Sequence, residues 1–245
     1  RGDLMFETLK SLFRVKEMRR KLFYVIGMIF VIRIGSQLPV PGVDSDVFRQ
    51  WFQSNTGDAF NFFDAFTGGS FESMSIFALN ITPYITSSII MQLLTIAIPK
   101  LEEMQKDGED GRKKIAAITR YVTVGLALIE SIAMSIGFGR QGLLVDYNFV
   151  NCAIVVCTLT AGSAFLMWIG ERITEKGVGN GISIVLLINI ISRVPDDLVT
   201  LYTQFMSGKK LAKAGLAGII ILAILLVVIV FVIILQDGER RIAVQ

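Results

Sequence analysis

The side chains that carry most covalent and metal chemistry are scarce in this chain. Histidine, the commonest general base and metal ligand, does not occur in its 245 residues. Cys152 and Cys157 stand five positions apart in one apolar run, on roughly opposite faces of a helix turn. That spacing suits buried small side chains better than a disulfide or a metal site. Hydrolysis inside a membrane needs a pair such as serine with histidine, or two aspartates within apolar spans, and neither occurs. The glycine-rich "TEKGVGNGIS" (174–183) lacks the order of a phosphate loop, because its lysine precedes the glycines and no strand leads into it. A tight turn is expected there. These residues predict a protein that is not an enzyme and uses neither metal nor cofactor.

Two ionisable groups remain inside apolar sequence, where a charge is costly unless protein or water surrounds it. Arg33 lies far enough along the first apolar run to snorkel toward the outer headgroups, or else it faces protein or water. Glu130, in "VGLALIESIAMSIG", has no cationic neighbour on its own helix. Two roles stand open for it: a protonated carboxyl bonded to a facing helix, or part of a polar seam.

The elements that must position these groups follow from composition. Hydrophobic residues make up 53% of the chain and charged ones only 18%, against about 25% charged in soluble domains. Apolar windows predict six membrane-spanning helices near 22–39, 74–98, 121–138, 150–170, 182–195 and 214–235. The fifth is short for a hydrocarbon core of about 30 Å, so it extends into its flanks or lies among protein neighbours. Most of the 24 Lys and Arg residues fall before the first span, between the second and third, and after the fourth and sixth, which predicts cytoplasmic amino and carboxyl ends. The block "SGKKLAK" runs against that bias. No small-residue cleavage site closes the first apolar run, so a span is expected there and not a removable leader.

The expected organisation is a basic amphipathic amino terminus over 1–21, five spans over 22–195, an external loop over 196–213, a sixth span over 214–235 and a cytoplasmic segment from 236. The polar stretch 99–120, "PKLEEMQKDGEDGRKKIAAITR", is too charged for lipid and projects into the cytoplasm, as a solvated connector or as a docking surface. The stretch 60–94, "FNFFDAFTGGSFESMSIFALNITPYITSSIIMQLL", breaks at Gly68–Gly69 between an aromatic half-segment and a span. Broken backbone at membrane depth survives only where protein buries it or water reaches it, so the half-helix is expected within a funnel. Ile81 and Ile85 share a helix face beside Pro83, and Leu186 and Ile190 repeat the spacing in the fifth span. Such pairs alone are what any membrane helix contains.

Several long stretches carry a resemblance: "RIGSQLPVPGV" (33–43), residues 66–94, "KDGEDGRKKIAAITRY" (106–121), "GERITEKGVGNGIS" (170–183) and "GERRIAVQ" (238–245). On these the chain resembles the amino-terminal part of the SecY family of bacterial protein-translocation channels, which have ten spans in two pseudo-symmetric halves of five. The resemblance implies an all-α integral membrane protein that corresponds to one half plus a sixth helix of the ten-helix channel, with a discontinuous second span. It implies that Phe60, Asn61, Phe62, Phe63, Asp64, Phe66, Gly68 and Gly69 belong to the plug that closes the resting channel. Ile81, Ile85, Leu186 and Ile190 match four positions of the aliphatic pore ring, Leu186 departing from the usual Ile or Val. Thr86, Ile89 and Glu130 match the lateral gate. Lys106, Arg112, Lys113, Lys114, Arg240 and Arg241 match cytoplasmic contacts.

The partners implied are SecE and SecG, the motor SecA or the ribosome, signal peptides and nascent chains, and the bilayer of the bacterial plasma membrane, with no direct recognition of nucleic acid. A conduit for every side-chain type suits a narrow aliphatic girdle, which offers no hydrogen bonds and sheds water when tight. The plug is a second barrier, with its aromatic faces expected on the ring and Asp64 and Asn61 toward the wet funnel. A rival reading is half of a small-solute secondary transporter, which needs polar groups converging at Gly68–Gly69. A membrane scaffold without a conduit would leave the broken spans without a purpose.

Overall fold

The computed structural model describes residues 15–55, 64–203, 211–236 and 238, and the fold among them is helical. It divides into two compact units, 1–193 and 194–245. In the first, helix α1 spans Lys16–Gly35 and stops where Ser36 leads into the chain "QLPVP", whose prolines cannot extend it. Helix α2, Ser45–Asn55, starts at Asp44, whose Oδ1 accepts the backbone N–H groups of Asp46 at 3.0 Å and Val47 at 3.2 Å. Its spacing of aromatic and polar residues buries Phe48 and Phe52 and leaves Arg49, Gln50 and Gln53 outward.

The expected second span, 74–98, is helical only from Thr82. Helix α3, Thr82–Ala97, begins with Ile81 at its N-cap and Pro83 in its first turn, where a missing N–H costs nothing. Before it, residues 68–81 run as successive turns, with Met74 and Asn80 in the left-handed region at φ 45° and 53°. Ile98 is extended, as a residue before proline prefers, and helix α4, Pro99–Lys106, turns away by 101°. The expected loop 99–120 is therefore a helical hairpin: Gly108 turns the chain into helix α5, Glu109–Arg140, whose first turn carries Glu109 and Asp110 at the positive end of the helix dipole.

Helix α6, Phe149–Lys176, and helix α7, Gly181–Leu201, are joined by the short turn expected at "GVGN". Helix α7 passes from the first unit into the second, and it continues to Leu201, six residues into the stretch expected to be an external loop. The second unit also holds helix α8, Leu211–Gln236, whose stretch 220–235 is wholly apolar. Among the described residues α5 and α6 are each long and apolar enough to cross a bilayer, and α3 with α4 passes the same test only as a bent pair.

Two cores hold the first unit. One is built on Phe48, Phe52, Phe71 and Phe138, with ring centroids 5.0 Å apart for Phe48 and Phe138 in an edge-to-face pair. The other gathers Val25, Ile32, Phe77, Ile81, Leu166, Ile169, Ile173 and Val185 from α1, the turn segment 68–81, α6 and α7. Small hydroxyl residues join the helices where they approach closely. Ser87 of α3 bonds Thr123 of α5, and Ser131 of α5 meets Thr160 of α6 at 2.9 Å. Gly162 lets α6 approach the turn segment so closely that a Cβ there would stand 1.8 Å from the Ile76 carbonyl oxygen.

Candidate functional site

Residues 64–67 form one helical turn that ends at Gly68 and Gly69, at φ +67° and +81°. Phe60, Asn61, Phe62 and Phe63 lie outside the described residues, as do Arg240 and Arg241. Asp64 was expected toward a wet funnel and is instead wholly buried. The reason is its partners. Its Oδ1 accepts the Glu72 backbone N–H at 2.9 Å and the Thr67 hydroxyl at 3.1 Å, and its Oδ2 receives Nη1 of Arg193 from α7. The same Arg193 nitrogen reaches Glu72 Oε2 at 3.2 Å, and Glu72 Oε1 accepts Gln53 Nε2 of α2 at 3.0 Å. A buried carboxylate needs such company, because an unpaired charge there would be strongly destabilising.

A second polar chain runs beside the first. Arg33 does not snorkel: it is half-buried, and its Nη2 donates to Asn189 Oδ1. Asn189 Nδ2 donates to Asn80 Oδ1 at 2.9 Å, and Asn80 Nδ2 to the Phe66 carbonyl at 2.8 Å. The Asn80 carbonyl accepts the Ser163 hydroxyl at 3.1 Å. Polar groups thus converge beside Gly68–Gly69. Asn80, Asn189 and Arg193 were missed. The available signal was their polarity within apolar runs, which marks candidate sites as firmly as it marked Arg33 and Glu130.

The four aliphatic positions differ in exposure. Ile81 has none, and its Cδ1 lies 3.4 Å from where a Cβ on Gly170 would be, so it packs into α6 and does not face open space. Ile85 and Leu186 are half-buried and border the same apolar cluster. Ile190 is 43% exposed. Ile85 follows Ile81 by one turn, the Ile85 N–H meeting the Ile81 carbonyl at 3.1 Å. Thr86 and Ile89 are exposed on α3. Ile89 lines a cavity of about 610 Å³ with Tyr84, Ile85 and the ion pair of Arg120 and Glu171, whose Nε and Oε1 stand 2.7 Å apart. Glu130 is half-buried on α5 and forms no hydrogen bond or ion pair among the described residues.

The α4–α5 hairpin exposes Lys106, Arg112, Lys113 and Lys114. Lys106 Nζ lies 2.6 Å from Glu102 Oε1, and that bond and charge hold the Glu102 carboxyl below its ordinary range. Lys113 sits 3.8 Å from Asp110. Exposed pairs of this kind contribute about 0–1 kcal/mol, so the cations stay available to a partner.

Fold and site together define a membrane protein, helical throughout its described residues, with a broken second span tied by a buried polar knot. Two solved structures share the fold: one described as "The structure of a protein conducting channel", at TM-score 0.50 and 17% identity, covering 77% of this chain and 38% of that one. The other is Sec61 in the canine ribosome-channel complex from the endoplasmic reticulum, at TM-score 0.54 and 17% identity, covering 93% and 49%. The sequence model of the SecY family matches residues 75–245. Protein translocase subunit SecY of Pseudomonas aeruginosa is 43% identical over 234 residues, 94% of this chain and 51% of that protein. The subunits of the same name from Escherichia coli K12 and Bacillus subtilis are 40% and 41% identical over 93% and 98% of the chain. The chain belongs to the SecY family. It spans about half the length of the curated relatives it matches.

Proposed function

We propose that this chain supplies the amino-terminal wall of a protein-conducting channel in the bacterial plasma membrane. The complete channel passes unfolded polypeptides across the membrane and releases apolar segments sideways into it. It performs no hydrolysis of its own. Both ends of the chain lie in the cytoplasm, and the six apolar segments cross the bilayer. Ile85, Leu186 and Ile190 furnish this half of the aliphatic girdle, with Ile81 packed behind them. The turn 64–70 is the described part of the plug, and Thr86, Ile89 and Glu130 border the lateral gate.

One observation carries this reading. The turn 64–68 rests beside the girdle: Gly68 lies against Asn189, next to the girdle position Ile190, and Asn80, next to Ile81 behind the girdle, holds the Phe66 carbonyl. A closure element seated at the level of an apolar constriction is what a resting conduit requires. The exposed cations of the α4–α5 hairpin, together with Arg240 and Arg241, would meet SecA or the ribosome, and SecE and SecG would complete the assembly. The polar convergence at Gly68–Gly69 also answers the transporter reading, yet Asp64 is bonded to Arg193 and Asn80 to Asn189, which leaves them engaged and not turned toward a solute.

Replacing Ile85, Leu186 and Ile190 together by serine in the complete channel should raise its ion leak across a planar bilayer. A leak unchanged from the parent contradicts the girdle. Saturable binding of a small solute by the parent would favour the transporter instead.

A further inference from the structure

The ion pair between Arg193 and Asp64 joins positions 129 residues apart and has no role in the girdle itself. Ser192 and Arg193 stand three and four residues after Asn189 and so lie with it on one face of α7. Besides Arg33 of α1, which bonds Asn189, that face meets the closure segment and residues that brace it. Arg193 binds the carboxylates of Asp64 and Glu72. Asn189 reaches Asn80, which holds the Phe66 carbonyl. A Cβ on Gly68 would stand 2.6 Å from the Asn189 carbonyl oxygen and 2.8 Å from Ser192 Oγ, so the segment lies against the backbone of α7 itself.

Asp64 draws the segment together from within. Its carboxylate is bonded at one oxygen to Thr67 and to the Glu72 backbone, and at the other to Arg193. The loop between 64 and 72 is therefore closed on itself and fastened to α7 through one buried group. Glu72 extends the fastening to α2 through Gln53.

We infer that Asn189, Ser192 and Arg193 form a seat on α7 that holds the plug segment closed, with Arg193 as its positioning residue. The inference rests on the reading of residues 64–70 as a plug. It goes beyond that reading in assigning the closed state to an ionic and amide seat on α7, and not to apolar contact with the girdle alone. Displacement of α7 relative to the Asp64 carboxylate then releases the segment.

The test uses the complete channel in planar bilayers, with leak conductance per channel as the readout and channel abundance measured alongside. Asp64→Asn and Arg193→Gln should each raise the leak by about tenfold or more, because the first removes the closure segment's own charge from the seat and the second leaves the buried Asp64 carboxylate without its Arg193 cation. Arg193→Lys, which keeps the charge, should return the leak toward the parent value. The double variant should leak less than Arg193→Gln alone, since it no longer buries the Asp64 carboxylate without its cation. A general structural defect would lower abundance in all variants and show neither rescue. Deletion of residues 64–70 separates the two ideas. If the deletion raises the leak while Asp64→Asn and Arg193→Gln do not, the seat is refuted and the plug stands. If neither the deletion nor the substitutions change the leak, the seat and the plug fall together.

Discussion

Replacing Gly68 by alanine would put a methyl group 2.6 Å from the Asn189 carbonyl oxygen, 2.8 Å from Ser192 Oγ and 3.0 Å from the Asn189 Cα. Two of these atoms are backbone of α7 and cannot rotate aside. Gly68 also sits at φ +67°, a conformation that costs an L-residue about 1–2 kcal/mol. Forcing extra volume into a filled site adds about 1–3 kcal/mol. The closed packing should thus lose about 2–5 kcal/mol, and at 1.4 kcal/mol per factor of ten the closed population falls by at least about thirtyfold. Gly69 supplies the internal control. It shares the positive φ, at +81°, but its added Cβ would meet only Arg193 Nη1, at 3.6 Å. Gly69→Ala should then cost only the backbone share, about 1–2 kcal/mol. Single-channel recording of the two complete variants compares their open probabilities directly. A Gly68→Ala channel no leakier than Gly69→Ala would refute the argument that the plug turn is pressed against α7.

Two further outcomes follow from other parts of the site. Phe48→Ala removes a wholly buried ring that packs edge-to-face on Phe71 and Phe138. It should destabilise the purified channel by about 3–5 kcal/mol, read as a lower thermal unfolding midpoint. Glu130→Gln should shift the threshold at which weak signal sequences are accepted without abolishing membrane insertion; wild-type handling of weak signals would assign Glu130 a structural role only.

Much of the architecture was legible as apolar runs. Residues 150–170 fall within α6, the turn at "TEKGVGN" leads into α7, and Ile81 and Ile85 stand one turn apart as their spacing requires. Hydropathy misread the stretch 74–81, because an average over side chains does not register that Met74 and Asn80 take left-handed backbone conformations. It also misjudged Asp64. A lone aspartate near two glycines reads as solvated until its partner is known, and Arg193 is 129 positions away in sequence. The same distance problem hid the bond from Arg33 to Asn189, 156 positions apart. Local pattern gives apolar helices; the polar knot between them is a property of how they pack.

The most direct measurement places a photo-crosslinking residue, one position at a time, at Ile85, Leu186 and Ile190, and as controls at Ile154 and Phe165, which are exposed on α6. A secretory polypeptide is then arrested midway through the complete channel and irradiated. Adducts to the arrested chain from the first three positions, and not from the two controls, are the predicted result. Adducts only from the α6 positions, or none from the girdle while translocation proceeds, would contradict a path along α3 and α7.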